Sequence, residues 1–450
     1  MADLRIIDDI TNEISKIRGV DLPPICIKIM VLTYICYACN TYDIRYKNED
    51  GATHRPNVGC LILAQKGTGK SRTLKALKKM FYSVEEERIR RYKNFEAYKI
   101  GKYKNSMIPL TSEQQKEVDD FYRESGREPV SIFDDPITAK GLCCTYAQTK
   151  TYKVNNILYV IDEVGERLFK DAMSNNPSIS SKEFTSGLTQ LFDGACHMGQ
   201  SKTSKEENIT SQTNIGANFI FVSTAEFLKD RKVQEKYKSY IENGVGRRLL
   251  FINCPPLDEY ATPRKRYFPN FEQFEPEIKK IFGGTEEEKK KLFNKEISAS
   301  EELWINQLEK QGSGANLTMG EEFLLLLFCT GLVVWTGDSQ IQQKHWDYMI
   351  NTFNEMKKLS LTVAQKDTTN YDKICIFIKS YLSEHSNKKK ISIALIKDYC
   401  LRNKMCYEST WKKWFNSLIE DFKASNDVQY LIERNQLYAW LEENYAYEGK

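Results

Sequence analysis

The chain has 450 residues, with 65 Lys or Arg against 61 Asp or Glu, a net charge of +4. That excess is too small to imply a nucleic-acid partner on its own, and 28 % charged with 41 % hydrophobic residues excludes a disordered chain and suits two or three globular domains with real cores. No run approaches the roughly 18–20 uninterrupted apolar residues of a membrane span, the first residues lack the basic-then-apolar pattern of a secretion signal, and twelve scattered Cys with four His form no ligand cluster, so a reducing, cytoplasmic setting is expected.

Residues 1–57 read as a helical N-terminal segment. Within it residues 25–39 are apolar, follow two prolines and carry Lys28, which suits a buried helix; Cys36 and Cys39 on that helix have ligand-like spacing but no second pair, and are expected as buried thiols. Residues 58–256 read as an α/β nucleotide-binding core. It opens with the apolar run Cys60-Leu61-Ile62-Leu63, then Ala64-Gln65-Lys66-Gly67-Thr68-Gly69-Lys70-Ser71, then a helix-forming run from Arg72. Strand, Gly-bearing loop and Lys-Ser opening a helix is the arrangement that wraps a nucleoside triphosphate. Gly67 and Gly69 let the backbone aim its N–H groups at phosphate oxygens, with Thr68 between them. Lys70 supplies a cation for the β- and γ-phosphates, the Ser71 hydroxyl is a Mg²⁺ ligand, and the helix N-terminus adds its dipole. Ala64 stands where the strict pattern has its first glycine.

Residues 82–127 form a charged, mostly helical insertion. Beyond them short apolar runs alternate with helical stretches, the pattern of a parallel sheet. The run Ile157-Leu158-Tyr159-Val160-Ile161 ends in Asp162-Glu163: Asp162 suits Mg²⁺ binding, and Glu163 polarisation of the attacking water. A second buried strand, 218–222, ends in Ser223-Thr224. A hydroxyl there lies where ligands collect in open α/β sheets, so Thr224 either bonds the γ-phosphate or its water, or caps a helix. A third strand, 249–252, follows Arg247-Arg248. Arginines entering a buried strand are poor core material and good phosphate contacts; one of the two is an arginine finger for a neighbouring subunit, or both serve salt bridges to the acidic insertion.

Between these strands, Cys196 to Thr210 reads as a β-hairpin with a polar tip. Lys202 and Lys205 on that tip either neutralise DNA phosphates or sit in a solvated loop. Residues 257–358 are a lid or connecting region: 257–298 extended over the surface, then one helical stretch from Leu317 to Met356. Residues 359–370 read as a linker. The last module, 371–450, has the pattern of a winged helix: helices over 374–382, from Ser392, and from Ser409 to Asp421, then strands over 428–432 and 437–440. Lys412 and Lys413 lie on the outer face of the third helix, which suits either duplex DNA or protein docking.

In this order the pieces resemble the AAA+ ATPases. The closest likeness is to phage and plasmid replication helicases of the primase–helicase kind, related to superfamily 3 and minichromosome-maintenance helicases. Pro56-Asn57 before the first strand, the segment from Asp134 through Thr138 to Leu142, and Asp193-Gly194 are similar to features of that group. The likeness covers about residues 20–256. It implies a ring, usually a hexamer, with ATP and Mg²⁺ between subunits and single-stranded DNA in the pore; Lys70, Ser71, Asp162 and Glu163 carry over directly, and Thr224 less directly because Ser223 is beside it. No sensor arginine follows residue 256, and no primase domain fits N-terminally, so priming would come from a separate primase or polymerase. The expected activity is thus an ATP-dependent DNA helicase in replication of a phage, plasmid or mobile element. The rival is an ATP-switched DNA-binding initiator, helicase loader, or defence or transposition regulator.

Overall fold

The computed structural model describes residues 3–104, 109–129, 132–135, 138–174, 176–197, 211–229, 248–255, 269–282, 284–305, 317–366, 391–402, 428–433 and 436–441. It also describes isolated positions 233, 236, 237, 267, 374, 377, 378, 381, 411, 412 and 415. The chain divides into a unit ending at Ser360 and a unit beginning at Leu361.

The first unit opens with helices α1 (Arg5–Ser15) and α2 (Pro24–Thr41). The α1 residues Ile7, Ile10 and Ile14 share one apolar face and are buried. Pro at the first turn suits the start of α2, and α2 is apolar all round because it is enclosed: it packs on the central sheet and on the later helix over 319–336. Cys36 and Cys39 are buried on it, as expected. The segment before the phosphate loop is not helical throughout. It contains strands β1 (Arg45–Lys47) and β2 (Thr53–His54), an antiparallel pair; β1 also takes a distant parallel partner at Glu296–Ile297. Such short strands have no periodicity of their own and exist by pairing alone.

The central sheet is built from β3 (Gly59–Leu63), β4 (Ile132–Phe133), β5 (Asn156–Asp162), β8 (Gly216–Ser223) and β9 (Leu250–Asn253). Its order is β4-β5-β8-β3-β9 and every pairing is parallel. Alternate residues of one strand serve opposite faces. In β3, Cys60 and Ile62 join the core that holds α1, α2 and α3 (Lys70–Met80), while Leu61 joins the core beneath α6 (Ala139–Thr151) and α8 (Ile179–Phe192). Burial on both faces is why these strands read as continuous apolar runs. A short turn of π-helix, Gly165–Phe169, and α7 (Lys170–Ala172) follow β5, and strands β6 (Ala195–Cys196) and β7 (Gln212–Thr213) precede β8.

Helices α4 (Tyr82–Lys104) and α5 (Ser112–Ser125) form the charged insertion. Its inner side is polar as well as apolar: Glu87 takes hydrogen bonds from Arg90 and Arg91. Burial alone would raise that carboxyl, but these bonds outweigh it and pull its pKa down to about 2.

Three expectations for the connecting region are corrected. Residues 257–298 are not extended throughout, since α9 (Glu275–Phe282) and α10 (Glu286–Leu292) lie there; α9 buries Ile278 and Phe282, an amphipathic pair masked by surrounding Lys and Glu. After β10 (Glu296–Ile297) and α11 (Glu301–Leu303), the stretch expected as one helix is two, α12 (Met319–Thr336) and α13 (Gln343–Lys366). Gly337, at φ +75°, ends α12 with its N–H on the Val334 carbonyl, a left-handed stop that glycine adopts without strain. The expected linker from 359 begins inside α13. By length and composition α2 and α12 would each suffice to cross a membrane, yet 89 % and 72 % of them is buried within the protein.

In the second unit Ser392, in β11 (Ile391–Ser392), caps α14 (Ile393–Arg402) through its hydroxyl, which accepts from Leu395 N at 3.2 Å. Strands β12 (Val428–Glu433) and β13 (Gln436–Leu441) pair antiparallel as expected, and β11 joins them as an unforeseen third strand. Ile374, Ile378, Ile396 and Cys400 are buried, and Phe377 stacks on Tyr399 at 4.0 Å.

Candidate nucleotide site

The site lies at the carboxyl edge of the sheet, and strand register assembles it. Leu63 lies beside Ser223, and Asp162 beside Val222. The ends of β3, β8 and β5 therefore sit nearly level, and the segments that leave them meet. Because β8 lies between the loop strand and the carboxylate strand, its hydroxyl tip falls between the two.

Gly67 (φ +91°) and Gly69 (φ +83°) both adopt the left-handed conformation expected of the loop. Gly69 is also fixed by space, since a Cβ there would lie 2.1 Å from the Gly19 carbonyl oxygen. Thr68 is buried, its hydroxyl donating to Gln65 O at 3.0 Å. Ala64 donates its N–H to Ser223 O at 2.9 Å, anchoring the loop to β8. Lys70 is only 5 % exposed. Its ammonium donates to the carbonyls of Ala64 and Gln65, each at 3.1 Å, and lies 3.7 Å from the Glu163 carboxylate. The cation is thus folded across the loop mouth and not extended into solvent.

The Ser71 hydroxyl donates to Asp162 Oδ2 at 2.5 Å. A hydroxyl and a carboxylate brought together in this way form an oxygen-only pair, the donor chemistry that Mg²⁺ takes. Glu163 has φ +55°, a conformation uncommon outside glycine. Its carboxylate accepts from Thr224 N at 3.1 Å and lies 3.4 Å from the hydroxyls of both Thr224 and Ser223. Ser223 Oγ in turn accepts from Gly165 N at 3.0 Å. The pair at the tip of β8 thus holds the Glu163 side chain, a role beyond the phosphate contact and the helix cap expected of it.

A further part of the site was invisible in the sequence. Residues 17–21, between α1 and α2, run over the phosphate loop: Asp21 N donates to Thr68 O at 2.8 Å, and the Arg72 guanidinium, one turn into α3, donates to the Arg18 carbonyl. Gly19 in a short connector before two prolines is the only sequence hint.

Arg248 is at the other edge, before β9 begins. Its guanidinium forks onto the Asp193 carboxylate, with contacts of 2.9, 2.9 and 3.1 Å. Arg247 lies outside the described residues. The expected hairpin has its base in β6 and β7, which pair antiparallel with Cys196 opposite Gln212; its tip, with Lys202 and Lys205, lies outside the described residues. Lys412 is exposed next to Trp411, which stacks on Phe415 at 5.0 Å, and Lys413 lies outside the described residues. Among the described residues no group of His, Cys, Asp and Glu suits a metal cluster.

No protein-family model matches the chain, and no curated protein matches it.

Proposed function

We propose that the chain is an ATPase of the AAA+ kind that moves along single-stranded DNA as a ring of identical subunits, a replicative helicase of a phage, plasmid or mobile element. The observation that carries this reading is the convergence of Lys70, Ser71, Asp162, Glu163 and Thr224, drawn from three strands, on one sheet edge.

ATP is the substrate. Its triphosphate would lie against the loop N–H groups and the first turn of α3, with the Lys70 ammonium turning from the loop carbonyls to the β- and γ-phosphates. Ser71 and Asp162 would hold Mg²⁺, which supplies charge neutralisation to the phosphoryl oxygens. Glu163, aimed by Thr224 and Ser223, accepts the proton as water forms the new P–O bond and the bond to the leaving ADP oxygen breaks. Arg248 stands at the amino edge, so within one subunit it is remote from this chemistry. An arginine from this segment meets a triphosphate only in an adjoining copy, which is what favours a ring. The base of a hairpin bearing lysines, and a C-terminal unit with a capped helix beside a three-stranded sheet, support DNA as the partner and a winged helix as that unit's fold.

The test is nucleotide binding and forked-duplex unwinding by the full chain. Lys70→Ala should weaken ATP binding about 100-fold, the scale of lost charge-assisted hydrogen bonds. Wild-type protein that binds DNA and hydrolyses ATP slowly but never separates strands would favour an ATP-switched initiator or loader instead.

A further inference from the structure

We infer that Arg248 is a positioning residue: its forked bond to Asp193 pins the root of the β6–β7 hairpin to the edge strand β9. Asp193 lies two residues before the first strand of the hairpin. It ends α8, with its N–H on the Thr189 carbonyl at 3.1 Å, and is followed by Gly194, whose carbonyl accepts from Ile215 N at 3.0 Å. The same junction is gripped by Asn57, whose amide donates to the carbonyls of Leu191, Phe192 and Ile215. Asn57 leads directly into β3, and Arg248 into β9.

These two strands run side by side to the nucleotide edge, with Cys60 opposite Leu250 and Leu63 opposite Asn253. The hairpin root is therefore tied to the phosphate-loop strand by an amide and to the edge strand by an ion pair. An Arg–carboxylate fork is directional as well as charged. It also borders an open pocket of ≈ 210 Å³ lined in part by Phe192, Phe323, Leu324 and Leu327, and the Asp193 side chain is 58 % exposed, so the fork holds through its geometry and not through exclusion of water. A guanidinium that holds both oxygens of one carboxylate through Nε and Nη2 in this way is a tether. Displacement of β9 relative to β3 then reaches the hairpin through Arg248.

The turnover arm of the test rests on the function proposed above; the exchange arm does not. In nucleotide-free full-length protein, amide hydrogen exchange is followed over residues 193–197 and 211–215 in Arg248→Ala, Asp193→Ala, the double variant, and the exchanged pair Arg248→Asp with Asp193→Arg. Exchange should accelerate about tenfold in each single variant, no further in the double, and return in the exchanged pair. Unchanged exchange in the single variants overturns the inference. In the second arm, turnover stimulated by an oligo-dT strand should fall about fivefold in either single variant and recover in the exchanged pair. If Arg248→Ala alone costs about 10³ or more in turnover while Asp193→Ala costs nothing, Arg248 is the trans finger and the inference is wrong. A wild-type protein that ignores ATP sinks the proposed function, and the exchange result still decides the tether.

Discussion

The two edges of the central sheet are both polar, and they are built on different terms. At the amino edge the polar groups bond chiefly one another. The Asn57 side chain alone makes five hydrogen bonds, three from its amide nitrogen and two to its oxygen, from Asn40 and Ala217. Asn218, in the middle of the same network, is buried. At the carboxyl edge the groups are fewer, partly exposed and held under strain: Glu163 sits at positive φ and the Ser71 hydroxyl is exposed. The difference teaches how to tell scaffold from site. A densely cross-bonded polar cluster fixes shape, whereas a strained one with a cation, a carboxylate and a hydroxyl facing one opening is organised for something that enters.

That contrast is breakable. The largest effect is expected at Glu163. Replacing it by Gln keeps an acceptor for Thr224 but removes the base, so turnover should fall about 10³-fold while ATP binding persists; a steady-state assay beside a binding titration checks this, and normal turnover would move the proton acceptor elsewhere. Next is Asn57→Ala, which should cost about 3 kcal/mol in a denaturant melt because it orphans several buried backbone groups at once. ATP affinity per folded molecule should stay put, and a large loss there would erase the distinction between the edges.

A control away from both edges is His345 in α13. Its Nδ1 accepts from Gln342 N at 3.0 Å, and its Nε2 lies 3.1 Å from Asp338 and 2.9 Å from Thr336 Oγ1. Burial lowers its pKa to about 4 against the opposing pull of Asp338. The folded state thus binds this proton less readily than the unfolded chain. Stability is retained above the unfolded pKa near 6.5 and is lost as pH falls from there toward 4, by on the order of 2 kcal/mol. Melts at pH 7 and 4.5 should show that loss, and His345→Asn should remove this part of it. The smallest effect is expected from Thr224→Val. It removes one hydroxyl but leaves the backbone N–H on Glu163, so turnover should fall about fivefold; a fall as large as that of Glu163→Gln would make Thr224 a participant in the chemistry.

The phosphate loop, the three long strands and the Asp-Glu at 162–163 were legible because each is a local pattern. An apolar run doubly covered, a Gly-Lys-Ser turn and an acidic strand end need only neighbours in sequence. Missed elements share the opposite property. Strand β10 is two residues long and becomes a strand by pairing with β1 across some 250 residues. Helix α9 shows two buried apolar positions amid Lys and Glu, too weak a period to stand alone.

The amino-acid order by itself determined that a Gly-Lys-Ser turn and an acidic strand end stand at the edge of a parallel sheet, since strand period, loop glycines and helix start are short-range properties of the chain. Only the three-dimensional packing decided that residues 17–21 cross the phosphate loop, that Ser223 and Thr224 grip Glu163, and that Arg248 bonds Asp193. Each of those contacts joins segments dozens of residues apart, whose meeting depends on strand order and register, and no local run of side chains encodes that distance.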